Sequence, residues 1–196
     1  RLMIGFNRRF AKHSIIAKKL LQKTINPKSF IMTVNAGQIP KDNWVHDKKI
    51  GGGRIIGEAC HFVDLMRFFV GEPIKSFQVM NIGNDGQMVV NDKVAITLSF
   101  QDGSFGTINY LANGGSSFPK ERIEIFCDNS VLQIDNWIKM KGYNWPGFKK
   151  SNLWSQDKGQ NLCVKKFVDS INSGDESPIP LDEILEVSKT IIKIDS

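Results

Sequence analysis

Glu58, His61 and Asp64 stand three residues apart in the run Arg54-Ile55-Ile56-Gly57-Glu58-Ala59-Cys60-His61-Phe62-Val63-Asp64. At ~100° per residue, that spacing gathers the three side chains on one side of a helix. An imidazole with an ordinary pKa of ~6.5, flanked by carboxylates, is suited to moving a proton near neutral pH. The same pattern also describes a solvated helix face with local ion pairs, because Arg54 precedes Glu58 by one helical turn. Ile55, Ala59, Phe62, Val63, Met66, Phe69 and Val70 take the opposite side, so the helix is amphipathic and docks on a core.

Gly51, Gly52 and Gly53 open this helix. They present N–H groups where an anion or a sugar oxygen can sit, or they form a tight loop with no ligand. Upstream, Asn35 ends an apolar run and offers both a donor and an acceptor to a hydroxyl. Trp44 offers a stacking face to a sugar ring, or a lid over the core.

These residues need a scaffold. Leu2 to Asn7 predicts a short buried strand, followed by a basic helix from about Ala11 to Lys23 that Pro27 stops. Phe30 to Val34 predicts the next strand, which delivers Asn35 into a loop containing Pro40, Trp44 and His46. After Pro73 the pattern turns to strands: Phe77 and Val79, then Val94, Ile96, Leu98 and Phe100 in alternation, then Phe105 to Leu111. Asp102-Gly103 and Asp128-Asn129 mark hairpins, the second joining Arg122 to Cys127 with Val131 to Ile134. Asn136 to Lys141 adds an edge strand, and residues 142–159 read as a long irregular loop bordering a ligand site. Two helices close the chain, one with Cys163, Phe167 and Ile171 on a face, the other with Ile184, Leu185, Ser188, Ile191 and Ile192. The expected fold is α+β: two layers, a mostly antiparallel sheet with helices packed on one face. The sheet's other face, carrying Phe, Ile and Tyr, is then an association surface.

With 196 residues, 41% of them hydrophobic, the chain suits a single domain. Its apolar runs are far shorter than the ~20 residues a membrane helix needs, and no secretory signal opens it. Cys60, Cys127 and Cys163 are widely spaced and odd in number, which points to buried thiols in the cytoplasm and argues against a disulfide framework or a zinc site. The histidines are scattered, so no metal cage is expected. The net charge of +6 is spread over separate pairs such as Lys18-Lys19, Lys48-Lys49 and Lys165-Lys166. With no nucleic-acid motif among them, neither nucleic acid nor membrane is an expected partner.

The glycine triplet, aliphatic pair, acid, histidine, and aspartate three residues later resemble the substrate-domain signature of the glucose-fructose oxidoreductase / inositol dehydrogenase (Gfo/Idh/MocA) family. Gly5-Phe6-Asn7-Arg8-Arg9-Phe10 is similar to the segment by which that family's chain enters its second domain. Val34-Asn35-Ala36-Gly37-Gln38-Ile39-Pro40, with Trp44 and Asp47, is similar to a bacterial branch linked to sugar and polysaccharide metabolism. The resemblance implies that residues 1–196 are a C-terminal substrate and oligomerisation domain of an NAD(P)-dependent oxidoreductase acting on a sugar or polyol. His61 is then the acid/base, and Arg9, Asn35, Trp44, Gly53, Glu58 and Asp64 contact substrate or support the site. Arg9 faces substrate or cofactor, and Arg8 pairs at the surface. Many relatives place an Asp four residues before the histidine, where this chain has Gly57; the acid stands one position later, at Glu58. The alternative is a non-catalytic interaction module with the same fold.

No Gly-x-Gly-x-x-Gly follows an apolar strand and no Glu-Lys-Pro motif is found, so the NAD or NADP site is expected in a preceding Rossmann domain. The start at Arg1 fits such an excised piece, to which no cofactor is expected to bind alone. A homo-oligomer through the sheet face is the family's implied assembly.

Overall fold

The computed structural model of the protein describes residues 1–40, 42–47, 49–82 and 92–196. Lys48, one of the scattered basic residues, lies outside them. The strands are β1 (Ser29–Asn35), β2 (Ile74–Asn81), β3 (Lys93–Phe100), β4 (Phe105–Leu111), β5 (Glu121–Cys127), β6 (Ser130–Asp135), β7 (Lys139–Tyr143) and β8 (Lys150–Asn152). They form one sheet in the order β2-β3-β4-β1-β5-β6-β7-β8. The pairings are antiparallel except for β1 with β4. A parallel pair needs a long crossover, and the chain supplies it through α2, β2 and β3.

The helices are α1 (Lys12–Leu21), α2 (Cys60–Val70), α3 (Gln160–Ser173) and α4 (Leu181–Asp195). Strict alternation in β3 buries Val94, Ile96, Leu98 and Phe100 while Lys93, Ala95, Thr97 and Ser99 face outward. These inward residues join Phe30, Met32, Ile108, Ile123 and Ile125 in a core shared with Phe62, Met66 and Phe69 of α2 and Ile184, Val187 and Ile191 of α4. The two-layer α+β arrangement expected from the sequence is the one observed. Among the described residues, no helix is long and apolar enough to cross a membrane.

Three local differences matter. Residues 1–6 form no strand; they run over the helical layer and lead into a 3-10 turn, Asn7–Phe10. Their anchors are on that layer and its connections, with Arg1 donating to the Ser170 carbonyl and Asn7 to the Lys158 carbonyl. The expected loop after β7 contains β8, a short strand that pairs with β7. Finally, α2 is preceded by a π turn, Ile55–Ala59, in which the Cys60 N–H reaches back to the Ile55 carbonyl. This wider turn shifts Glu58 out of the α-helical phase of His61 and Asp64.

The N-terminal turn is clamped onto α2 by charge. Arg9 Nε donates to Asp64 Oδ2 at 2.7 Å, and its NH1 reaches Glu183 Oε2 of α4 at 2.5 Å. Arg67 of α2 pairs with Glu186 of α4 at 2.8 Å. The polar stripe of α2 is therefore covered by neighbouring elements instead of solvated.

The seating of α2 on the sheet depends on Gly106 of β4. A Cβ there would lie 2.5 Å from Phe30 Cβ and 2.9 Å from Met66 Sδ. Gly106→Ala is expected to destabilise the protein by ~1–3 kcal/mol through overpacking. Denaturant unfolding of the two proteins side by side checks this, and an unchanged midpoint would show that the layers can part without cost.

Candidate active site

His61 sits in the first turn of α2, its ring edge-on to Phe6 with centroids 5.9 Å apart and planes at 82°. Nδ1 is buried and has no hydrogen-bond partner among the described residues. Burial, followed by the nearby Arg8 guanidinium, pushes the imidazole pKa down to about 4 against the opposing pull of Glu121 and Glu58. The ring is thus neutral near pH 7 and has a lone pair to accept a proton.

Within electrostatic reach of His61 is Glu121, the first residue of β5 and almost fully buried at 1% exposure. Arg8 grips both carboxylate oxygens, Nε to Oε2 at 2.9 Å and NH2 to Oε1 at 2.8 Å. Trp137 Nε1 donates to Oε2 at 2.5 Å and Lys158 Nζ to Oε1 at 2.7 Å. Burial alone would raise the Glu121 pKa, but Arg8 and Lys158 outweigh it and hold the carboxyl at about 2. The Arg8 guanidinium also lies 4.4 Å from the centroid of the Phe62 ring. The sequence reading puts Arg8 at the surface; it is drawn inside because a buried carboxylate needs a bidentate partner.

Trp137 reaches Glu121 from an unusual backbone. The β6–β7 connection, residues 136–138, is a tight turn closed by the Ile138 N–H on the Asp135 carbonyl, with Asn136 at φ 46° and Trp137 at φ 60°. A bulky residue there is sterically disfavoured. Full burial of the indole and its hydrogen bond to Glu121 hold it in place.

Glu58, three residues before His61, accepts from Tyr110 Oη at 2.5 Å, Arg54 NH2 at 3.2 Å and Lys120 Nζ at 2.7 Å. Burial works to raise its pKa, yet the hydrogen bonds from Lys120 and Tyr110 win and keep it below the ordinary value. Of the two sequence readings of Glu58, the ion pair with Arg54 is present, and 23% of the side chain stays exposed. Arg54 further binds the Gly37 carbonyl at 2.6 Å and the Ala36 carbonyl at 3.1 Å, fixing the exit of β1.

The remaining expected site residues divide. Arg9 and Asp64 are buried against each other and Glu183, which withdraws both from substrate contact. Asn35 donates to the Gly115 and Phe118 carbonyls at 2.8 and 3.1 Å and so holds the loop between β4 and β5, while its buried Oδ1 has no hydrogen-bond partner among the described residues. Trp44 is 63% exposed on a 3-10 turn, free to stack. Gly51 and Gly52 donate their N–H groups to the Asp47 carbonyl at 2.7 and 3.0 Å, and Gly53 donates to Val45 at 3.1 Å. The triplet is therefore a closed loop and not an anion cradle, and it does not fit a dinucleotide pyrophosphate. Among the described residues, no three His, Cys, Asp or Glu side chains gather to hold a metal ion.

Sequence reasoning missed Glu121, Lys158, Tyr110 and Lys120. Parity carried a signal for one of them: Glu121 is in phase with the inward Ile123 and Ile125, which makes it an inward acid needing a partner. Lys120 and Glu121 are neighbours in the chain and serve two separate clusters, around Glu58 and around Glu121 itself.

Glu121→Gln keeps the shape but leaves Arg8 and Lys158 without their countercharge, at an expected cost of ~3–5 kcal/mol. The native Glu121 pKa is depressed from 4.5 to about 2, so its contribution is present above pH 4.5 and is lost as pH falls towards 2. Unfolding measured across that range should show this acid limb weakened in Glu121→Gln; an identical profile in both proteins would refute the role.

A family model described as the GFO/IDH/MocA C-terminal domain matches residues 26–133, more than half of the chain. The aldose-aldose oxidoreductase from Caulobacter crescentus, solved with glycerol, is similar over 100% of this chain and 61% of its own, with a TM-score of 0.80 and 18% identity. An oxidoreductase domain protein from Kribbella flavida is similar over 100% and 64%, with a TM-score of 0.79 and 19% identity. A levoglucosan dehydrogenase in complex with NADH is similar over 98% and 62%, with a TM-score of 0.78 and 17% identity. At such identities the likeness is one of fold, and the chain spans about three fifths of the length of these structures. No curated protein matches. From the match of its sheet and helix signature, the chain belongs to the GFO/IDH/MocA oxidoreductase family and carries that family's C-terminal domain.

Proposed function

We propose that residues 1–196 form the substrate-binding and catalytic half of an NAD(P)-dependent oxidoreductase acting on a sugar or related polyol, with His61 as its acid/base. The observation that carries this reading is the His61 imidazole at the start of α2, edge-on to Phe6 and with a buried Nδ1 that has no hydrogen-bond partner among the described residues, in the field of Glu58 and Glu121. When a carbinol carbon is oxidised, its hydroxyl proton passes to the imidazole; in reduction the imidazolium returns it. The nicotinamide would supply the hydride chemistry, held by the preceding Rossmann domain that the family resemblance implies. The sugar and NADH named for the similar structures support this assignment, and the compartment that fits it is the cytoplasm. Glu58 tunes the imidazole from the position next to the usual aspartate, and Trp44 stacks on the substrate.

In the full-length protein, His61→Asn is expected to keep folding and cofactor affinity while turnover falls ~10²–10⁴-fold. Near-normal turnover with an unchanged pH profile would instead favour the non-catalytic module. Glu58→Gln in parallel should shift the pH profile if that carboxylate tunes the ring.

The outer sheet face supports self-association. Ile31, Phe105, Phe126 and Tyr143 are exposed there beside Thr33, Thr97 and Thr107. Sedimentation is expected to show a dimer or larger species at micromolar concentration, converted towards monomer by Phe126→Glu. A native protein that is strictly monomeric would rule the face out.

A further inference from the structure

The far end of β5 borders an unfilled space. Glu121 opens the strand and Cys127 closes it, which at ~3.4 Å per residue sets the two about 20 Å apart. Around Cys127, three stretches of chain are tied together. Asp128 accepts from Asn26 Nδ2, beyond the end of α1, at 2.6 Å, and Ser130 Oγ donates to the Asn144 carbonyl, just after β7, at 2.9 Å. A cavity of about 190 Å³ nevertheless remains between them, lined by residues of all three stretches. A cavity of ~150 Å³ admits benzene, so this one has room for a substituted six-membered ring.

One wall is apolar and fixed. Trp145 is only 9% exposed, the Phe148 N–H holds its carbonyl at 3.2 Å, and Gly142 packs so closely that a Cβ there would lie 2.9 Å from Trp145 Cβ. Other lining groups are polar. Thr24 Oγ1 spends its proton on the Leu21 carbonyl at 2.7 Å, as Ser130 does on Asn144, so both hydroxyls keep lone pairs with which to accept. Asp128 adds a carboxylate, and Lys23 an ammonium that enters no ion pair among the described residues. A charged ligand meets a like charge on Lys23 or Asp128, and a bare hydrocarbon strips water from both without replacing its hydrogen bonds.

We propose that this cavity binds a neutral, hydroxylated six-membered ring, a pyranose or a cyclitol. Its apolar face lies on Trp145, while its hydroxyls accept from Lys23 and donate to Asp128, Thr24 and Ser130. The ring is held and not transformed: burial, then the Asp128 carboxylate, pushes the Cys127 pKa up, so the lining thiol stays protonated and is no nucleophile. This site is separate from His61 and depends on no role assigned to it.

The test uses the 196-residue chain, with nuclear magnetic resonance following the amides of residues 127–130 and the Trp145 indole N–H, and the His61 ring as a separate reporter. Glucose, myo-inositol, cyclohexanol, glucuronate and glucosamine are titrated in turn. Glucose and myo-inositol are expected to shift the cavity signals and to saturate at concentrations roughly tenfold below cyclohexanol, the scale of about one net hydrogen bond. Charge swaps carry signs. Lys23→Met should improve glucosamine relative to glucose, and Asp128→Asn, which suits the same left-handed backbone, should improve glucuronate. Trp145→Leu should abolish binding of every ring; if thermal melts show it unfolded, the Lys23 and Asp128 variants decide alone. Cyclohexanol binding as tightly as glucose would reduce the site to a plain apolar hole and overturn the assignment. Shifts confined to the His61 ring, or no saturation by any ligand, would show a cavity that holds only water. Neither charge swap changing the order of ligands would likewise end the proposal.

Discussion

One buried carboxylate organises this protein. Glu121 ties β5 to the N-terminal turn through Arg8, to the β6–β7 turn through Trp137, and to the approach to α3 through Lys158. Taking an ion out of water costs several kcal/mol unless its oxygens are fully met. Here four donors from three separate stretches meet them, so the carboxylate stays ionised and the stretches stay together. The seat of Phe6 against His61 depends on the same clasp, because Phe6 lies two residues before Arg8.

A second charge network does related work at the other end of the α2 stripe, where Arg9, Asp64 and Glu183 join the N-terminal turn to α2 and α4. Together the two networks turn the polar side of a helix into an internal seam. His61 lies within that seam and keeps a ring nitrogen without a hydrogen-bond partner among the described residues. Burial grades the stripe: Asp64 is sealed, while His61 and, in the π turn before it, Glu58 are not.

Much of the scaffold was legible because it rests on local period. The alternation of Val94 to Phe100, the Asp-Gly and Asp-Asn turns and the apolar side of α2 need only nearest-neighbour physics. The errors arose where distant partners decide. Residues 1–6 are apolar enough for a strand, but they pack on the helical layer, which no pattern within them reveals. The glycine triplet lost its N–H groups to carbonyls of the preceding turn, a closure set by the path of residues 44–47. Arg8 and Lys158 are ordinary surface types by composition, and only the inward Glu121 draws them in. The π turn that rephases Glu58 is likewise invisible to a fixed helical period.

Trp137 embodies a conflict between a turn and a site that share one residue. A turn with two successive left-handed residues is best served by glycine in its second place, and a sequence adjusted for local comfort alone would carry Asn-Gly at 136–137. That change would relax the backbone but remove the indole that covers and hydrogen-bonds Glu121. Thermostability screens on this fold would therefore find the loop an obstinate place. Its most comfortable sequence empties the interior behind it, and improvement must begin elsewhere, at positions that do not answer to Glu121.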